Sequence, residues 1–208
     1  MTTERTVFVV DDDEAVRDSL SVLLEAEGYA ARAFGSARAF LDVCQPDQAG
    51  CLVADIRMPD MDGLALQEEL VNRRIALPVI IVTGHGDVAL AVRAMKAGAV
   101  DFIEKPFDGE ALLDGVKRAL ELARKQKSRS ARARDAAART ATLTLRERQV
   151  LEHLMAGRSN KMIAHELGIS PRTIEIHRAH LMEKMQVRSL SDLVRTALEA
   201  EVTPAGTT

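Results

Sequence analysis

The first 120 residues alternate short apolar runs with amphipathic stretches. Val7-Phe8-Val9-Val10, Cys51-Leu52-Val53-Ala54, Val79-Ile80-Ile81-Val82 and Val100-Asp101-Phe102-Ile103 are apolar or nearly so, and a weaker run lies at Ala30–Phe34. Continuous rather than alternating apolar runs of this length read as strands buried on both faces. Between them the period becomes helical. Val16, Leu20, Leu23 and Leu24 recur on one helix face, and Gly28 ends that helix. Further helices are expected over 36–44, 64–73, 88–97 and 109–124. Five such β-α units predict a parallel, doubly wound sheet with helices on both faces, and a site at the C-terminal strand ends.

From Leu143 onward the pattern is helical throughout, with helices expected near 145–156, 160–167, 171–185 and 190–200. Thr144 and Glu147 fit a capping box, Gly157 and Gly168 punctuate, and Ser170-Pro171 supplies an N-cap and a first helical residue. Between the two halves Arg124, Lys125, Lys127, Arg129, Arg132, Arg134 and Arg139 alternate with Ala and Ser, without Pro or Gly. That composition predicts a basic linker that extends the preceding helix and frays before Thr142, with its charges solvated. The expected division is an α/β domain at 1–121, the linker at 122–142, a four-helix domain at 143–201 and a disordered tail at 202–208.

Composition adds two constraints. With 47% hydrophobic and 28% charged residues in 208, the chain has the profile of a soluble globular protein with room for two cores. No apolar stretch nears the roughly 18 residues of a membrane span, and the N-terminus lacks a signal-peptide pattern, so a cytoplasmic protein without membrane contact is expected. The net charge of −3 conceals an asymmetry: residues 1–120 hold 12 Lys/Arg and 21 Asp/Glu, and residues 121–208 hold 16 and 10. A basic C-terminal half suits phosphate backbones. Cys44 and Cys51 lack a metal or redox spacing and read as ordinary thiols.

Asp11 and Asp12 close the first strand and Asp55 the third, so three carboxylates converge where neighbouring parallel strands end. They repel unless a cation sits among them, and a small set of oxygen ligands suits Mg²⁺. Thr83 and Lys105 end the fourth and fifth strands and point into the same crevice. A carboxylate there can attack a phosphoryl donor, with a cation and an ammonium neutralising the phosphoryl oxygens and a hydroxyl bonding the product. Lys105-Pro106 invites a cis peptide.

The segments VFVVDDDEAVRDSL, ADIRMPDMDG, VTGHGD and FIEKPF, in this order over residues 1–121, resemble the signature of CheY-like receiver domains. The resemblance implies a CheY-like five-stranded parallel sheet with Asp55 as phosphoacceptor. It implies Mg²⁺ bound by Asp12 and Asp55 directly, by Asp11 through water and by the Arg57 backbone carbonyl. Thr83 and Lys105 would contact the phosphoryl group and Phe102 would be the aromatic switch residue, while Gly84 leaves room beside the phosphoryl. Asp13 reads as the cap of the first helix rather than a ligand. Two other readings are weak. Gly84-His85-Gly86-Asp87-Val88-Ala89 matches a dinucleotide fingerprint but sits in the fourth unit rather than the first, and His85 reads as a solvated loop residue or a rim group tuning dephosphorylation. A dehalogenase-like phosphatase needs a second Asp two residues after Asp55, where Arg57 stands.

In the C-terminal half, two helices joined by Leu167-Gly168-Ile169-Ser170 form a helix-turn-helix pattern. Ile174, His177, Leu181 and Met185 share the inner face of the second helix. The outer face offers Glu175 to a cytosine amino group and Ile176 and Ala179 to thymine methyls. Lys161, Arg172, Thr173, Arg178 and Lys184 suit phosphates. The segment resembles the LuxR-type helix-turn-helix, and with the receiver the chain is similar to the NarL/FixJ family, its FixJ-like members most of all. That likeness implies a non-enzymatic two-component regulator with a partner sensor histidine kinase, double-stranded promoter DNA and RNA polymerase as partners. It implies a homodimer formed on phosphorylation, through the last helix and through a receiver surface at 88–103 bearing Val88, Val92 and Lys96.

Overall fold

The computed structural model describes residues 5–84 and 88–206 and divides into two compact units, Met1–Lys127 and Ser128–Thr208. In the first, β1 (Thr6–Val10), β2 (Ala30–Phe34), β3 (Cys51–Asp55), β4 (Val79–Thr83) and β5 (Asp101–Glu104) form one parallel sheet in the order β2-β1-β3-β4-β5. The helices are α1 (Glu14–Ala26), α2 (Ala37–Leu41), α3 (Gly63–Asn72), α4 (Val88–Lys96) and the start of α5 (Gly109–Ala141).

The continuous apolar runs are explained by burial on both sides. Val7, Val9, Val53, Ile80 and Val82 face Leu20 and Leu24 of α1 and Leu112, Val116 and Ala119 of α5. Phe8, Val10, Leu52, Ala54 and Ile81 face Phe40, Leu64, Leu66, Leu70 and Ala94 of α2, α3 and α4. Each buried Val, Leu, Ile or Phe side chain among these contributes about 1.5–3 kcal/mol. β2 is the weak run because it is an edge strand, half-buried to exposed along its length. Asp13 caps α1, its carboxylate accepting from the Ala15 N–H at 2.9 Å.

The second unit holds the end of α5 with α6 (Leu145–Met155), α7 (Asn160–Leu167), α8 (Pro171–Lys184) and α9 (Leu190–Glu199) around one core. Val150, Leu151, Leu154, Ile163, Ile174, Leu181, Met185, Leu193 and Ala197 fill it. The capping box of α6 and the Ser170-Pro171 start of α8 are both formed. Gly168 ends α7 at φ 66°, a left-handed backbone that glycine adopts without cost.

The linker is the helical extension expected of it: α5 runs to Ala141, and the division between the two units falls within it, so that its last turns belong to the second unit. Ala136 and Thr140 are buried there, and the Arg139 guanidinium donates to the Met185 carbonyl at 3.0 Å. Within the segment expected to be a disordered tail, Val202 enters the core and the Ala205 N–H donates to the Glu152 carbonyl at 3.0 Å.

Candidate functional site: an acidic crevice and a helix-turn-helix

The register of β1, β3 and β4 puts the acidic residues side by side. Val10 pairs with Ala54 and Asp55 with Val82, so Asp11, one residue beyond β1, lies next to Asp55 at the C-terminal edge. Both carboxylates are buried, at 3% and 6% exposure. Two buried anions need a counter-charge, and Lys105 supplies it, its Nζ 2.6 Å from Asp11 Oδ2 and 2.9 Å from Asp55 Oδ1. Burial alone would lower the Lys105 ammonium, but hydrogen bonds and charges from Asp11 and Asp55 outweigh it and hold the group above the ordinary lysine range. The remaining oxygens are also occupied. Asp55 Oδ2 accepts from the Arg57 N–H at 2.6 Å and Asp11 Oδ1 from the Asp13 N–H at 3.0 Å. The Lys105–Pro106 peptide is cis.

Two buried carboxylates and an ammonium form the inner part of the crevice. Asp12 is exposed, and among the described residues no three His, Cys, Asp or Glu side chains come together as a metal site. Lys105 supplies one positive charge between the two buried carboxylates, as the sequence placed it in the same crevice. The donors still suit a hard divalent ion, since Asp11, Asp55, the adjacent Asp12 and the Arg57 carbonyl offer only oxygen.

Thr83 is wholly buried at the end of β4, with Lys105 tied alongside by its N–H to the Thr83 carbonyl at 2.7 Å. Phe102 is half-buried on β5 opposite Ile81. At Gly84 an added Cβ would meet nothing within 4 Å among the described residues. His85, Gly86 and Asp87 lie outside the described residues. Val88, Val92 and Lys96 are all exposed on α4, with Met95 beside them at 49%. Cys44 and Cys51 are free thiols, and burial pushes Cys51 up to about 12.

Two further supports of the crevice lie inside the receiver-like segments, Gly63 at the end of ADIRMPDMDG and Arg17 within VFVVDDDEAVRDSL. A Cβ on Gly63 would stand 2.4 Å from the Asp55 carbonyl oxygen, so α3 can begin that close to Asp55 only with glycine. The Arg17 guanidinium donates to the Asp11 carbonyl at 2.8 Å and pins the end of β1.

In the second unit Arg172, Glu175, Ile176 and Ala179 are exposed along α8, and Lys161 is exposed on α7. Thr173 is half-buried, its hydroxyl 2.8 Å from that of Ser170. Lys184 has a partner within the domain: its Nζ donates to Glu147 Oε2 at 2.7 Å. Glu147 is buried because it also closes the α6 capping box, and that left a carboxylate for Lys184 to meet. Sequence spacing gave no sign of this pair, which spans 37 residues.

The comparisons agree with this geometry. Residues 7–117 match the response regulator receiver domain family, and residues 141–197 match the luxR family of bacterial regulatory proteins. The chain belongs to the luxR-type response regulators. It is 50% identical over 200 residues to the transcriptional regulatory protein FixJ of Bradyrhizobium diazoefficiens, covering 96% of this chain and 98% of that one. Among solved structures it is similar to the response regulator StyR, with TM-score 0.81 and 43% identity over 93% of this chain and 98% of that one. It is also similar to full-length FixJ from B. japonicum, with TM-score 0.58 and 49% identity over 96% and 98%. This FixJ-like regulator thus joins a CheY-like receiver to a luxR-type helix-turn-helix, in a family of transcription regulators rather than enzymes. No helix among its described residues is long and apolar enough to cross a membrane.

Proposed function

We propose that this regulator is switched by transfer of a phosphoryl group to Asp55 from a phosphohistidine on a partner sensor kinase, and that the phosphorylated form pairs and binds promoter DNA. The observation that carries the reading is the buried Asp11–Lys105–Asp55 cluster at the C-terminal edge of the sheet. A carboxylate oxygen of Asp55 forms the new P–O bond as the donor's P–N bond breaks, and the released imidazole takes up a proton. Lys105 already lies at hydrogen-bond distance from Asp55, so its ammonium is in place to meet a phosphoryl oxygen. The Arg57 N–H fixes the second carboxylate oxygen and so sets the direction of attack. Asp11, Asp12, Asp55 and the Arg57 carbonyl would hold Mg²⁺, which when bound neutralises charge on the transferring oxygens.

The added group carries about −1.5 to −2 charge beside Lys105 and the Thr83 hydroxyl. Thr83 moves toward it, Phe102 turns into the space vacated, and the α4 face bearing Val88, Val92 and Lys96 becomes the pairing surface. The exposed Leu190 and Leu198 of α9 support a second contact in the dimer. Pairing sets two α8 helices on half-sites about one DNA turn apart, or a multiple of it. Lys161, Arg172, Thr173 and Arg178 face phosphates, while Glu175, Ile176 and Ala179 face base edges. RNA polymerase is the expected downstream partner. Domain limits that fit this use are 1–127 for the receiver and 128–206 for the DNA-binding unit, with α5 continuous across them.

The test is twofold. Labelled phosphate from the kinase or from a small acyl phosphate should appear on Asp55 and vanish in Asp55→Asn. DNA selected from a random pool should be enriched more strongly when beryllofluoride is present. Label that persists in Asp55→Asn, or DNA occupancy and oligomeric state indifferent to beryllofluoride, would overturn the switch.

A further inference from the structure

Two cations of α8 are engaged in opposite ways. Lys184 meets a carboxylate, Glu147, and its charge is cancelled. Arg178 meets a neutral group: its Nη1 donates to Asn160 Oδ1 at 2.5 Å, and among the described residues it forms no ion pair. Asn160 is the first residue of α7, directly after the Ser159 cap, so this bond joins the two helices of the helix-turn-helix across 18 positions. Both residues are half-buried, and Arg178 stands at the edge of the exposed stripe of Arg172, Glu175, Ile176 and Ala179.

A guanidinium has five N–H donors in a planar fork, and Asn160 takes one. Four donors and the full positive charge remain. A neutral acceptor that fixes the fork without cancelling its charge leaves Arg178 ready for an anion from outside the domain. A free arginine would lose rotamer freedom on meeting that anion, whereas one already held loses less. We propose that Asn160 is a positioning residue for DNA binding: it presets the Arg178 guanidinium for a backbone phosphate at the rim of the groove that α8 enters. The proposal rests on the DNA-binding reading above and adds to it a residue that makes its contribution through another.

The test uses the full chain, activated with beryllofluoride, and a random-sequence DNA duplex, with affinity measured over a range of salt well below the melting temperature. Arg178→Ala should weaken binding and reduce the slope of log affinity against log salt by about 1, the signature of one lost phosphate contact. Asn160→Ala should weaken binding roughly threefold to tenfold while keeping the slope, because the charge is still present but no longer held. In the Arg178→Ala background, Asn160→Ala should have no further effect. A purely structural Asn160 would lower the melting temperature and leave the affinity of the folded protein alone. Unchanged affinity in Asn160→Ala, or a penalty that persists undiminished without Arg178, overturns the positioning role. Failure of the unaltered chain to bind the duplex at low salt would overturn the DNA-binding reading as well.

Discussion

Replacing Glu147 with alanine tests how the DNA-binding unit is held together. The carboxylate is 3% exposed and serves two partners through one oxygen, the Thr144 N–H at 2.8 Å and the Lys184 ammonium at 2.7 Å. Loss of the reciprocal cap costs about 1 kcal/mol. Breaking a fully buried ion pair costs about 3–5 kcal/mol, but the Lys184 side chain is 35% exposed and can turn toward water, so about 1–2 kcal/mol is expected here. The sum, about 2–3 kcal/mol, is a change of roughly 30-fold to 140-fold in local opening at 1.4 kcal/mol per decade. Amide hydrogen exchange of the full chain, followed by mass spectrometry, reads it directly. Exchange across 145–155 and 171–184 should accelerate by that factor, while α1 in the receiver stays unchanged. Glu147→Gln, which keeps an acceptor for Thr144 but not the charge, should fall between. Acceleration under threefold, or equal acceleration in α1, would refute the reasoning. Burial alone would raise the Glu147 carboxyl, but Lys184 and the Thr144 bonds outweigh it and hold the group below the ordinary glutamate range. Its contribution is therefore fully present above pH of about 4.3 and lost as pH falls through the lower folded value, a dependence that Glu147→Gln should flatten.

Three further outcomes follow from the geometry. Lys105→Ala leaves Asp11 and Asp55 buried without their counter-ion, so the receiver should lose about 2–3 kcal/mol in chelator, with Mg²⁺ raising its melting temperature more than it raises that of the unaltered chain; equal Mg²⁺ increments would show that Lys105 does not stand in the cation's place. Gly63→Ala drives a Cβ into the Asp55 carbonyl and should cost about 1–3 kcal/mol and slow phosphorylation, whereas Gly84→Ala should leave stability within about 0.5 kcal/mol; thermal melts of the two variants decide it. Burial and then the Arg158 guanidinium hold the His153 imidazole below its ordinary range, Glu166 being shared with Arg158, so the second unit should lose stability as pH falls below about 6.5 and His153→Gln should remove that step in a pH series of α6 exchange rates.

The acidic crevice and the domain order were legible because each rests on local pattern. Apolar runs with period-switching helices fix a parallel sheet. Carboxylates directly after two of those runs must then gather at one edge, and caps such as Asp13, Thr144 and Ser170 announce their helices within three or four residues. What the sequence could not decide was how charges choose partners across long separations. It supplied three carboxylates and a lysine, but only the packed sheet left Asp12 in solvent and Lys105 between the other two. It marked Lys184 and Arg178 alike as cations on a helix surface, and only the approach of α6 and α7 gave one a buried carboxylate and the other a neutral amide. Periodicity assigns a side chain to a face. The energy of a charge depends on what the rest of the chain brings within about 4 Å of it, and that distance is set by tertiary packing alone.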